Sequence, residues 1–204
     1  MLITFEGCEG SGKSVNAAWL RGWLAERGIA ALLTREPGGT VLGERIRSLL
    51  LDGELPPTPM ASLLLFEAAR AQLVSTVIQP ALGAGTIVLC DRFTDSTLAY
   101  QGYGEGLPLA TIDELNALAT GGLIPRLTIL FDIDPIIGLQ RRGTAGAVNA
   151  MDARDLEFHR RVRQGFLVLA SQFPDRWLML DATRPLDDLR RQIARRLEDA
   201  GLLA

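Results

Sequence analysis

The chain has 204 residues, 48% apolar and 22% charged, with a formal net charge of −3. That is enough chain for one domain with a sizeable core, in an ordinary soluble composition. The mild acidity argues against a nucleic-acid partner, which would call for a basic face, but not against a small phosphate ligand, for which local arginines suffice.

Met1 runs straight into a strand pattern, so no secretory leader is expected, and no apolar run reads as long enough to cross a bilayer. Only Cys8 and Cys90 are present. They read as small buried filler in a reducing cytoplasm, ahead of a regulatory thiol pair. Leu2-Ile3-Thr4-Phe5 is a short buried strand. A helix from Val15 to Arg27 follows, with Trp19, Leu20, Trp23 and Leu24 at helical spacing and Gly28 as its stop. Between them lies Gly7-Cys8-Glu9-Gly10-Ser11-Gly12-Lys13-Ser14, which fits G-x-x-x-x-G-K-[ST] at every fixed position. Glycines let the backbone turn tightly and bring its N–H groups onto phosphate oxygens. The helix N-terminus adds partial positive charge. Lys13 is placed for the β- and γ-phosphates and the Ser14 hydroxyl for Mg2+.

Ile29 to Thr34 is a second strand and Arg35 to Thr40 a Pro-Gly-Gly loop. Thr40 caps a helix bearing Leu42, Ile46, Leu49 and Leu50, and Asp52-Gly53 and Pro56-Pro57 mark a loop. Pro59 to about Leu82 reads as one long helix with a bend near Pro80. Ile87-Val88-Leu89-Cys90 is a buried parallel strand ending in Asp91-Arg92. Residues 94–106 read as loop running into helix. Pro108 to Ala119 is amphipathic and closed by Gly121-Gly122. Leu127 to Ile133 is a strand and Pro135 to Arg142 a short helix. Residues 143–150 lack apolar period and are expected to be mobile. Asp155 to Ala170 is a helix, Trp177 to Leu180 the last strand and Leu186 to Leu197 the last helix. Alternating strand and helix predicts an α/β, three-layer P-loop NTPase fold: a parallel five-stranded sheet flanked by helices, one domain over 1–204, with a mobile lid at about 141–154. Ligands in such folds sit at the strands' carboxyl ends.

At those ends, Asp91 is placed to hold Mg2+ through a water and Arg92 to clamp a phosphate. Phe66 and Arg70 share a helix face, the pairing that would stack a base and bond its edge, although spacing alone favours a core phenylalanine and a surface arginine. Arg141, Arg142 and Arg154 flank the flexible segment, as neutralising a γ-phosphoryl group would require. His159, the one histidine, reads as packing or surface.

Together these residues resemble bacterial thymidylate kinase over nearly the whole chain. The likeness rests on Phe5 to Ser14, Thr34-Arg35-Glu36-Pro37-Gly38-Gly39-Thr40, Leu65-Phe66-Glu67-Ala68-Ala69-Arg70, Asp91-Arg92-Phe93, Ser96, Ala99-Tyr100-Gln101-Gly102 and Phe158-His159-Arg160-Arg161-Val162-Arg163. The resemblance implies phosphorylation of dTMP to dTDP by ATP with Mg2+, in a homodimer, with no nucleic-acid or membrane partner. It implies that Phe66 stacks on thymine and that Arg70 bonds the base edge, helped by Ser96 and Thr97. Arg92 and Arg35 hold the dTMP phosphate, Pro37 lies in the same loop, and Glu9 meets the 3′-hydroxyl or the Mg2+ shell. Tyr100 packs on the deoxyribose, and Gln101 borders the pocket. The family places its catalytic arginine either in the phosphate loop or in the lid. Gly10 puts this chain in the second branch. Many relatives read Asp-Arg-aromatic-Glu after the lid, where this chain has Asn149-Ala150-Met151-Asp152. That leaves Arg142 as first choice and Arg154 as second. Another small-molecule P-loop kinase and a P-loop switch ATPase are the competing readings.

Overall fold

In the computed structural model, which describes residues 1–51, 57–144 and 153–201, the apolar runs pair into one parallel sheet. Its strands are β1 (Leu2–Glu6), β2 (Ala31–Arg35), β3 (Ile87–Asp91), β4 (Leu127–Asp132) and β5 (Trp177–Asp181), in the order β2-β3-β1-β4-β5. β1 pairs with β3 through Leu2 and Val88 and with β4 through Ile3 and Leu127. The connections run first to one side of β1 and later to the other. The reversal therefore falls at β1, where a doubly wound sheet opens its ligand crevice.

Side chains alternate across the sheet. Leu2, Val88 and Cys90 meet Leu73, Val74 and Ile78 on one face. Ile3, Phe5 and Leu89 join a larger core with Leu20 and Leu24 of α1 (Lys13–Ala25) and with Leu189, Ile193 and Leu197 of α9 (Leu186–Asp199). The remaining helices are α2 (Val41–Leu51), α3 (Pro59–Leu73), α4 (Gln79–Gly83), α5 (Thr94–Thr97), α6 (Leu109–Thr120), α7 (Pro135–Thr144) and α8 (Leu156–Gln172). Gly121, in a left-handed conformation at φ 64°, ends α6. Asp155 caps α8 by accepting the Phe158 N–H at 2.7 Å.

Two elements differ from the sequence expectation. The long helix widens into a π-helical segment, Val74–Ile78, directly before α4. A proline at position 80 has no N–H for the turn below and crowds the carbonyl four residues back; the wider turn removes that clash. The widened turn, where the sequence suggested a bend near Pro80, thus precedes that proline. Residues 94–106, expected as loop running into helix, are helical almost from the start: α5 passes into a second π-helical segment, Leu98–Gly104, nearly all of it buried and packed under α8.

The expectation that no run could cross a bilayer also fails by length and composition, since the 25-residue stretch Pro59–Gly83 contains an 18-residue window with a mean hydropathy of 1.4. In this fold that helix buries Leu63, Leu73 and Ile78 and holds Arg70 inside. Asp52-Gly53 and, of the expected lid at about 141–154, residues 145–152 including Ala150 lie outside the described residues, while Gly143 and Thr144, expected to be mobile, end α7.

Candidate active site

β1 ends at Glu6, and the chain turns through Gly7 to Gly12 into α1, with Gly12 left-handed at φ 89°. Lys13 is buried and folds back over the loop. Its Nζ donates to the carbonyls of Gly7 (2.9 Å) and Cys8 (2.8 Å) and to Ser11 Oγ (3.3 Å). Burial, reinforced by Arg92, brings its pKa down to about 8. Anionic phosphate oxygens are stronger acceptors than these carbonyls and would restore the full charge.

Ser14 Oγ donates to the Asp91 carboxylate at the end of β3. A hydroxyl and a carboxylate beside a phosphate loop are hard oxygen donors and fit Mg2+, which takes one or two protein ligands and fills its shell with phosphate and water. Among the described residues no group of three or more His, Cys, Asp or Glu side chains could hold a metal, so an ion held there would draw on nucleotide and water for the rest of its shell.

A helix rests directly on the loop. A Cβ at Gly10, whose φ is 67°, would lie 2.0 Å from the Gly138 carbonyl oxygen, and one at Gly138 would lie 2.4 Å from the Glu9 carbonyl oxygen. Only glycine at both positions permits this backbone contact. It places one face of α7 on the loop, and Arg142, four residues after Gly138, shares that face. Arg142 lines the cleft. Arg141 points elsewhere, donating to the Ala182 carbonyl at 2.9 Å. Arg154 pairs with Glu105 at 3.0 Å and lies over the Phe158 ring at 4.2 Å. The two arginine candidates for transfer are thereby separated: Arg142 lines the cleft, and Arg154 is held by Glu105 and the Phe158 ring.

The cleft, of about 330 Å³, runs from this loop toward α3. Arg92 stands in its middle in a left-handed conformation at φ 71°, a strain of about 1 kcal/mol for a residue with a Cβ. Its guanidinium donates to the Gly7 carbonyl (3.1 Å), Ser96 Oγ (3.2 Å) and Glu9 Oε1 (3.0 Å), and lies 4.8 Å from the Tyr100 ring centre. Tyr100 donates to the same Glu9 oxygen at 2.6 Å. Burial works against the Glu9 charge, but Arg92, with His159, Lys13 and Tyr100, holds its carboxyl far below the usual range.

The far end of the cleft is apolar, walled by Phe66, Pro37, Leu51 and Phe93, with Gln101, Ser96 and Thr97 beside them. Phe66 is half-buried against Ile46, Leu50 and Ala69, so it is both core and wall. Arg70 is 2% exposed, not a surface charge. Its five N–H groups are engaged by Glu36, Glu67, Asn116, the Phe93 carbonyl and Thr97. Any bond from it to a base edge therefore replaces one of these. Glu36 is pushed up to about 7 by burial even so, Arg70 offsetting part of the rise. Arg35, mostly exposed, pairs with Glu44 at 3.0 Å at the rim.

Gly7, Cys8, Ser11 and Gly12 form the floor of the loop and do not line the cleft itself. Burial raises the Cys8 thiol to about 12 and Cys90 well above its ordinary value, which suits filler and not reactive thiols. Sequence reasoning missed Arg47, which lines the cleft and donates to the Pro37 carbonyl at 3.0 Å, and the buried partners Glu36, Glu67 and Asn116. His159, read as packing or surface, is buried, and its place 3.6 Å from Glu9 was missed.

A family model described as thymidylate kinase matches residues 5–193. A thymidylate kinase of Deinococcus radiodurans is 50% identical over 201 residues, covering 98% of both chains. One from a Synechococcus strain is 55% identical over 182 residues, covering 89% of this chain and 86% of its own. The crystal structure of thymidylate kinase from Ehrlichia chaffeensis superposes with a TM-score of 0.79 at 36% identity, covering 97% of this chain and 98% of the other. With the family model spanning most of the sequence and relatives about 50% identical over nearly its whole length, the chain belongs to the thymidylate kinase family.

Proposed function

We propose that this chain is a dTMP kinase, transferring the γ-phosphoryl group of ATP to dTMP to give dTDP and ADP, in the synthesis of dTTP. The observation that carries the reading is a single cleft lined by Lys13 and Ser14 of the phosphate loop, by Phe66 and Arg70 of α3, and by Arg92. The dTMP phosphate, held by Arg92 and Arg35, presents an anionic oxygen in line with the γ-phosphorus. An attacking group already charged needs little general-base help, so positioning and charge neutralisation dominate. Ser14 and Asp91 would hold Mg2+, which would supply charge neutralisation at the nucleotide phosphates, and Arg142 reaches the transferred group from α7. We place the reaction in the cytoplasm and in a homodimer, with no nucleic-acid or membrane partner. Exposed Leu42 and Leu49 of α2, Leu64 of α3 and Leu118 of α6 support the dimer.

A coupled ADP-release assay over dTMP, dUMP, dCMP, dGMP and thymidine tests the reading. dTMP turns over far faster than dCMP, dGMP or thymidine, while dUMP, which lacks one methyl group, loses only about 1–3 kcal/mol of selectivity. Comparable turnover of dCMP, dGMP or thymidine would remove the assignment.

A further inference from the structure

His159 and Glu9 are two buried polar side chains that face one another without closing a bond. Both oxygens of Glu9 are needed to see this. Oε1 accepts from Tyr100 and Arg92. Oε2 has no hydrogen-bond partner among the described residues, and neither has either nitrogen of His159. His159 is 1% exposed, and its Nδ1 lies 3.6 Å from that Oε2. Its ring meets Phe158 edge-on at 5.4 Å. A buried polar group left unpaired costs its full desolvation, so an imidazole is a poor choice here if filling space were its only task. A leucine would fill the same volume without that cost.

The position explains the choice. His159 is the fourth residue of α8, the helix that follows the lid segment. Glu9 lies in the phosphate loop, its other oxygen already bonded to the arginine that we place on the acceptor phosphate. A shift of a few tenths of an ångström at the start of α8 would bring Nδ1 within bonding distance of Oε2. We infer that His159 is a positioning residue that acts through Glu9: Nδ1–H closes onto Oε2 when the acceptor nucleotide binds, and fixes the carboxylate for it. This rests on the dTMP kinase reading.

Steady-state kinetics of His159→Leu, His159→Asn, His159→Gln, Glu9→Gln and the Glu9→Gln/His159→Leu double variant test it, with thermal melts alongside. His159→Leu lowers kcat by about tenfold and leaves KM for ATP within about twofold. An asparagine amide overlays Nδ1, so His159→Asn recovers most of the loss, whereas His159→Gln, whose amide overlays Nε2, does not. In the Glu9→Gln background the leucine change costs less than about twofold more, as coupled groups require. Wild-type kcat in His159→Leu, an equal loss in both backgrounds, or asparagine no better than leucine would each overturn the inference. Failure of the underlying reading is distinguishable, because wild-type protein would then not turn over dTMP at all.

Discussion

Glu6 is the last residue of β1, fully buried, accepting the Phe93 N–H at 2.8 Å through Oε1 and facing Ser96 Oγ at 2.5 Å through Oε2. Burial, with Asp95 nearby, pushes its carboxyl up to about 8. Unfolded, it titrates near 4.5. Between those values the unfolded chain has released a proton that the fold still holds, so its contribution to stability is full below pH 4.5 and is lost as pH rises toward 8. Glu6→Gln keeps both hydrogen bonds and cannot ionise. Urea unfolding therefore shows the wild type losing on the order of 2 kcal/mol more than the variant between about pH 5 and about pH 8; parallel losses would mean that Glu6 is charged in the fold. At this scale the sequence was uneven. Lys13 and Ser14 were legible because a phosphate loop demands fixed local spacing. The interior place of Arg70 was not, because Glu36, Asn116 and Thr97 lie 34, 46 and 27 residues away from it. The same holds for His159, whose neighbours in sequence are arginines and whose neighbour in space is Glu9.

Helix and strand patterns were readable wherever period 3.6 or an apolar run dominated, and all five strands and most helices fall within a few residues of expectation. Periodicity carries no sign of a π turn, which changes the face by a fraction of a turn. That is why Leu98–Gly104 read as loop although it buries Tyr100 and Gln101 at the cleft. Contacts, more than helix face, decide the transfer arginine. Arg141 and Arg142 lie about 60° and about 40° to either side of Gly138 around α7, but Arg141 is tied to the Ala182 carbonyl while Arg142 lines the cleft. Arg142→Ala lowers kcat on the order of a thousandfold, with the fold intact by circular dichroism. Arg154→Ala, which breaks an ion pair with Glu105, costs less than about tenfold. The reverse ranking in single-turnover measurements would give the transfer role to Arg154.

On the scale of the whole molecule, the ligand-facing loops gather at the carboxyl ends of the strands, while α2, α3 and α6 leave apolar side chains in water. Leu118 is 81% exposed, Leu49 60% and Leu64 51%, and α3 packs against both α2 and α6. Those three helices present a surface suited to a second copy of the chain. Sedimentation velocity gives a dimer, and Leu64→Glu shifts it to monomer; a monomeric wild type would discard that interface. The meeting of Gly10 with Gly138 has a mechanical consequence. No side chain cushions it, so the loop that seats the nucleotide and the helix that delivers the counter-charge cannot slide past one another. Whatever orders the first also aims the second, and an arginine grafted into the loop would pry the two apart before its charge reached a phosphate.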